Sequence, residues 1–187
     1  MKKSLILSSL LSINLLVNAN IHEAIMQGNM NEVMTCLESC DIEARNSFGE
    51  TPLCTACRCG KIEIMEMLIS KGAQINSQDN YGMSPLHLAL GHYCERIENS
   101  QNVIMKFLDY APNVNAKDKR GETPLHFAIM HELDACVIEK MLNMGADITV
   151  PNRHGKTAYR MAKEEKMEDI LQVFKKCCMI TEEENHQ

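Results

Sequence analysis

Apolar residues recur along most of this chain at helical spacing, in short runs separated by polar stretches that contain glycine. One run places Ile62, Met65 and Leu68 on one helix face, and residues 103–108 repeat the arrangement. Gly72 follows the first run and suits a left-handed stop at the end of a helix. The pattern predicts about ten short amphipathic helices, joined by short extended loops, and no true sheet.

An eight-residue motif recurs between these runs. It reads Gly-Glu-Thr-Pro-Leu-His-Phe-Ala at 121–128, and related versions lie at 49–56, 82–89 and 155–162. A Ser or Thr hydroxyl caps a helix by accepting a bond from a free backbone N–H, and proline fits the first helical position. The glycine two residues before the cap suits a turn with positive φ. The four caps are spaced 33, 39 and 34 residues apart: Thr51, Ser84, Thr123 and Thr157.

The motif and its period resemble those of the ankyrin-repeat family over residues 20–176. The resemblance implies an all-α solenoid of paired antiparallel helices with β-hairpin-like finger loops. The expected units lie near 20–50, 51–83, 84–122 and 123–156, followed by a C-terminal cap at 157–176 and a disordered acidic tail at 177–187. The third unit carries six extra residues, placed within 91–102. That insertion is interpreted equally well as a functional loop or as tolerated drift.

Residues 1–19 have the features of a bacterial secretory signal peptide. Lys2 and Lys3 precede an apolar run from Leu5 to Val17, and small residues lead to a predicted cleavage after Ala19. The alternative is an uncleaved helix that caps the array. The signal interpretation predicts an exported protein, periplasmic or secreted, without a stable membrane anchor after cleavage. It also allows delivery into a host cell.

Composition narrows the functional classes. The 187 residues carry a net charge of −6, no Trp and only four Phe and four Tyr. An acidic chain without a basic stripe is a poor match for nucleic acid or an anionic membrane. It also lacks a Gly-x-Ser-x-Gly elbow, a phosphate loop and a His-Glu-x-x-His motif. We therefore expect neither an enzyme nor a bound cofactor.

Cysteine and histidine align in two columns of the repeat register. Cys54, His87, His126 and Arg160 form one column, and Cys59, His92, His131 and Glu165 form the other. Neighbouring helices pack about 8–10 Å apart, which is too far for the outer members of a column to share one zinc ion. The resemblance implies instead that His87 and His126 tie neighbouring loops together.

Cysteine chemistry remains the alternative. Cys54 and Cys57 form a Cys-x-x-Cys, but on a repeat helix Cys57 is interpreted as small core filling. Nine cysteines are unusual for a chain that leaves the cytosol. A metal- or redox-active secreted protein is thus the competing hypothesis, with the site expected, if anywhere, near His92, Cys94 and His131.

The finger tips are the predicted binding surface. Large side chains precede each finger glycine, and the resemblance implies that tips and first helices together form a concave recognition face. We predict a non-catalytic, monomeric module that binds a protein partner. A protector of an enzyme, an immunity protein, an effector and a structural assembly subunit all remain open. The alternative for the tips is aromatic packing on adjacent fingers and solvated cations. The predicted partner-binding residues are Phe48, Tyr81, Lys119, Arg120, Arg153 and His154 at the tips and Arg58 and Phe127 on the first helices, with Thr55, Leu88 and Met130 as further candidates.

Overall fold

The computed structural model describes residues 21–91 and 100–178, which form ten helices. The predicted leader, most of the predicted insertion and nearly all of the predicted tail lie outside these residues. The helices are α1 (21–27), α2 (Met30–Leu37), α3 (Pro52–Arg58), α4 (Ile62–Ser70), α5 (Pro85–Gly91), α6 (Ser100–Leu108), α7 (Pro124–Met130), α8 (Ala135–Asn143), α9 (Ala158–Glu164) and α10 (Glu168–Cys178).

The helices stack as two layers of a solenoid. The inner layer packs α3 on α5, α5 on α7 and α7 on α9, and the outer layer packs α6 on α8 and α8 on α10. Each inner helix also packs on the outer helix that follows it. Because each unit contacts mainly its neighbours, stability is distributed along the array. The predicted all-α repeat solenoid is confirmed.

The inner helices begin as the motif predicts, with one variation. The Thr51 and Thr157 hydroxyls accept hydrogen bonds from the backbone N–H groups of Cys54 and Arg160, at 3.3 and 3.1 Å. In the third and fourth units a histidine adds the return bond. The backbone N–H of Thr123 donates to His126 Nδ1 at 3.1 Å, and the same bond recurs one unit earlier. Local chemistry thus fixes where these helices start.

One apolar core runs the length of the array. It includes alanines of the inner helices, such as Ala56 and Ala128, whose small size lets neighbouring helices approach closely. Cys57, at 2% exposure, lies in this core beside them. Phe107 and Phe174 are its largest fully buried side chains. Within the described residues no helix is long and apolar enough to span a membrane.

The fingers are hairpin-like turns built on one repeated arrangement. A side-chain oxygen of an Asn or Asp accepts hydrogen bonds from two backbone N–H groups. Asp118 Oδ1, for example, accepts from the backbone N–H groups of Arg120 and Glu122, both at 2.8 Å. The glycine that follows has positive φ, +75° at Gly121. Neighbouring fingers are joined through main-chain hydrogen bonds. In the described residues, an isolated β-bridge forms within the last finger, between Pro151 and Thr157.

Candidate protein-binding surface

The tip side chains form a row along the free edge of the fingers. Phe48 and Tyr81 are each 56% exposed, more than any other large apolar side chain in the described part of the chain. Lys119, Arg120 and Arg153 are exposed as well, and so is the tip residue His154. The row changes from aromatic at the N-terminal half to cationic at the C-terminal half. The exposed tip side chains are available for contact, and their role in binding stays a prediction.

Main-chain hydrogen bonds hold this row in place. The carbonyl oxygen of Phe48 accepts the N–H of Asn80 at 2.9 Å. The carbonyl of Tyr81 accepts from Lys119, and that of Arg120 accepts from Arg153, both also at 2.9 Å. These bonds fix the spacing of the tips without using their side chains. A surface that is ordered before binding loses less conformational entropy on association.

The candidates on the inner helices have mixed surroundings. Phe127 is half-buried, with its ring edge-on to His87 at a centroid distance of 5.2 Å. Met130 is 45% exposed. The expectation for Thr55 and Leu88 is wrong, because their side chains are buried, at 0% and 4% exposure.

Arg58 has a partner inside the chain that the sequence analysis missed. Its guanidinium donates from Nε to Glu50 Oε1 at 2.7 Å and from Nη2 to Glu50 Oε2 at 3.0 Å. Asn46 and Thr55 also donate to Glu50, which is only 4% exposed. Burial opposes ionisation of this carboxyl, but the bonds from Arg58 and Asn46 outweigh it and hold the pKa of Glu50 below its ordinary value. The spacing of eight residues between the two charges was the available signal.

The buried histidines connect neighbouring units, as the resemblance implied. His87 Nε2 donates to the Glu122 carbonyl at 3.2 Å, and His126 Nε2 donates to the Lys156 carbonyl at 3.1 Å. His22 lies in the same column, bonded to Thr55 Oγ1 at 2.7 Å and to the Ala44 carbonyl at 3.2 Å. Burial lowers the pKa of His87 to about 4, so its ring is neutral at pH 7.

The buried cysteines have the surroundings of core residues rather than of reactive thiols, whereas Cys136 is exposed. Seven cysteines are free thiols in the described part of the chain, and no three His, Cys, Asp or Glu side chains there are placed to hold a metal ion. Burial raises the pKa of Cys54 and of Cys59, and raises that of Cys57 well above its ordinary value. Reactive cysteines instead have lowered pKa values. His92 and Cys94 lie outside the described residues.

Comparison with known proteins identifies the repeats. A model of three ankyrin repeats matches residues 21–98, and a single ankyrin-repeat model matches 120–153, so the two cover more than half of the chain. The chain belongs to the ankyrin-repeat family. Ankyrin repeats are protein–protein interaction modules, and members are generally non-catalytic.

Curated relatives of this ankyrin-repeat protein match it over parts of their length. Human protein phosphatase 1 regulatory subunit 27 is 36% identical over 43% of this chain and 53% of its own. A putative ankyrin repeat protein of Rickettsia bellii is 32% identical over 35% of this chain and 43% of its own. The Drosophila melanogaster NF-kappa-B inhibitor cactus is 38% identical over 34% of this chain and 13% of its own. The matched regions span between 5% and 53% of the relatives' lengths.

Proposed function

We propose that this chain is an exported bacterial ankyrin-repeat module that binds a protein partner through its finger tips and inner helices and performs no chemistry itself. The observation that carries the proposal is the row of exposed aromatic and cationic tip side chains. Folding does not explain large side chains at the tips, since the fingers are joined through their backbones. Aromatic residues and arginine dominate the energy of protein interfaces.

Relatives support a regulatory role through binding. Their names describe a regulatory subunit of protein phosphatase 1 and an inhibitor of NF-kappa-B. Both names describe proteins that act on another protein as a regulator or an inhibitor. For this chain the corresponding partner is a protein whose surface offers apolar groups toward Phe48 and Tyr81 and acidic groups toward Arg120 and Arg153.

The test of the surface compares two sets of alanine substitutions in the full chain. The tip variant replaces Phe48, Tyr81, Arg120 and Arg153, and the control replaces exposed outer-face residues, Met34, Lys71 and Lys175. Proteins from the source organism are captured on each variant under reducing conditions and identified by mass spectrometry. We expect one partner to be retained by wild type and control and lost by the tip variant.

Two results would overturn the assignment of the tips. A partner retained equally by the tip variant would move the interface elsewhere. A tip variant whose melting temperature falls by about 5 °C or more would show that the tips stabilise the fold, because truncating exposed side chains usually changes stability by less than about 0.5 kcal/mol.

Export is tested separately. The proposal rests on the pattern of residues 1–19, and the Rickettsia bellii relative supports a bacterial setting. Mass spectrometry of protein recovered from the source organism should give a chain that begins at Asn20. A chain that still begins with Met1 would refute cleavage and favour the N-terminal helix as a cap.

A further inference from the structure

Two positions of the repeat, eight residues apart, hold an ion pair in two units. One position directly precedes the helix cap, so it is the last residue of the preceding unit, and the other ends the inner helix. Each pair is assigned below to the unit that contains its inner helix. In the second unit they carry Glu50 and Arg58, joined by two hydrogen bonds. In the C-terminal cap they carry Lys156 and Glu164, which pair with the charges reversed. The register thus brings side chains at these two positions together across the start of the helix.

The fourth unit has only half of this pair. Its two positions carry Glu122 and Met130, so a methionine occupies the position at which the counter-ion of the carboxylate would lie. The third unit, with Met83 and Gly91, has no charge at either position. Among these four units, only the fourth therefore has a charged residue at one of the two positions and no opposite charge at the other.

Glu122 is buried with one oxygen unsatisfied. The residue is 7% exposed, and its Oε1 accepts from Asn152 Nδ2 at 2.9 Å. Its Oε2 has no hydrogen-bond partner. His126 Nδ1 lies 3.9 Å away, but that nitrogen already accepts the N–H of Thr123 and has no proton to offer. A buried oxygen left in this state is a position that a donor from another molecule can satisfy.

A cleft of about 530 Å³ opens beside this carboxylate, between α7 and α9. Its walls combine an apolar strip, which includes Met130 and Met161, with four glutamates and a single lysine, Lys156. That lysine already pairs with Glu164. The cleft is therefore acidic and has an apolar wall along which an alkyl chain can lie.

We propose that this cleft receives an arginine side chain of the protein partner, with the guanidinium donating to Glu122 Oε2 and the alkyl stem lying along Met130 and Met161. The inference rests on the proposed function, since it adds one contact to the same concave face. The internal precedent for arginine is Arg58, which forks onto the equivalent carboxylate. Met130 is unbranched and exposed, so its side chain can change rotamer when the guanidinium enters the cleft.

The test uses N-acetyl-L-arginine N-methylamide as the probe, titrated into the full chain and followed by amide chemical shifts. We expect wild type to bind with a Kd of about 1 mM, a value suited to a single side chain. Shifts should concentrate at α7, α9 and the finger at 152–156. Glu122→Gln should weaken binding by about tenfold or more, because a charged acceptor is replaced by a neutral amide.

Variants at Met130 keep the proposal falsifiable if Glu122→Gln misfolds. Met130→Arg restores the arrangement of the second unit, so its own guanidinium should occupy Oε2 and abolish probe binding. Met130→Ala opens the cleft and should retain binding. No shifts in wild type, unchanged binding in Glu122→Gln, or unchanged binding in Met130→Arg would each overturn the proposal. Equal binding of N-acetyl-L-lysine N-methylamide would also overturn it, since the forked geometry of the guanidinium would then add no affinity.

Failure of this inference and failure of the proposed function give different results. The tip variant leaves the cleft intact, so it should bind the arginine probe as wild type does. Partner capture that depends on the tips, together with no probe binding, refutes the cleft alone. Probe binding with no tip-dependent partner refutes the tips alone.

Discussion

The fingers, and not only the helices, should couple neighbouring repeats, and Gly82→Ala tests this. Gly82 has φ +78°, and a Cβ built there would lie 2.9 Å from the backbone nitrogen of Lys119 and 3.2 Å from two backbone atoms of Asp118. That same Lys119 nitrogen donates to the Tyr81 carbonyl at 2.9 Å. An added methyl group must therefore push the next finger away and weaken this bond.

The expected cost has three parts. Alanine in the left-handed region costs about 1–2 kcal/mol relative to glycine. Displacing packed backbone adds about 1–3 kcal/mol, and weakening one hydrogen bond adds about 1 kcal/mol. Gly72→Ala is the matched control, since Gly72 also has a positive φ, +93°, but a Cβ there meets nothing within 4 Å. It should lose only the first part, so Gly82→Ala should cost about 2–4 kcal/mol more.

Thermal and urea unfolding, followed by far-ultraviolet circular dichroism, measure the difference. We expect Gly82→Ala to melt about 5–10 °C below Gly72→Ala. Gly155→Ala adds a second comparison, because Gly155 is a finger glycine with φ +70° and no neighbour within 4 Å. If all three variants lose the same stability, the fingers do not couple the repeats and the cost is backbone strain alone.

Three further predictions concern the buried polar and thiol groups. Arg58→Met should destabilise the fold by about 2 kcal/mol in urea unfolding, because it leaves Glu50 buried without its cation; an unchanged midpoint would contradict this. Burial lowers the pKa of His87 to about 4 from 6.5, so the unfolded chain binds more protons between these pH values and stability falls as the pH drops through them. His87→Gln should reduce this loss of stability by up to about 3 kcal/mol. A pH profile of stability identical to that of wild type would refute the prediction. Iodoacetamide should label exposed Cys136 in the native protein well before buried Cys57, as read by mass spectrometry; equal labelling would contradict the burial.

The sequence was sufficient to predict elements that local chemistry determines. Thr51 caps its helix because hydroxyl, proline and helical spacing are all neighbours in the chain. The link from His126 to the next finger also follows the motif, since each repeat places the same acceptor in the same direction. Periodicity conveys this information because one unit is the template for the next.

It was harder to predict which side chains of the inner helices are exposed. Thr55 and Leu88 were expected on the concave face, yet both are buried. The inner helices α3 and α5 are each only seven residues long, and all but the last residue of each is buried, so the exposed arc is narrow. A single repeat does not show how much of that arc its neighbours cover.

The buried charges were missed for a related reason. A glutamate just before a helix cap is ordinarily interpreted as a solvated residue that favours the helix N-terminus. Glu50 and Glu122 are nonetheless buried. Glu50 accepts hydrogen bonds from Thr55 and Arg58 of α3, and Glu122 accepts one from Asn152 of the next finger. A comparison of the residues eight positions apart in every unit distinguishes the paired carboxylate, Glu50, from the unpaired one, Glu122.

Two opposite charge patterns then meet on one face, and together they restrict the partner more than either does alone. The tips at Arg120 and Arg153 favour acidic groups, whereas the cleft at Glu122 favours a cation. A uniformly acidic or basic protein satisfies one and is repelled by the other. Under the proposed function, the partner that fits both would carry an arginine flanked by acidic residues. Complementarity of this alternating kind contributes mainly to specificity and register, because each mismatch places like charges together in a partly desolvated contact.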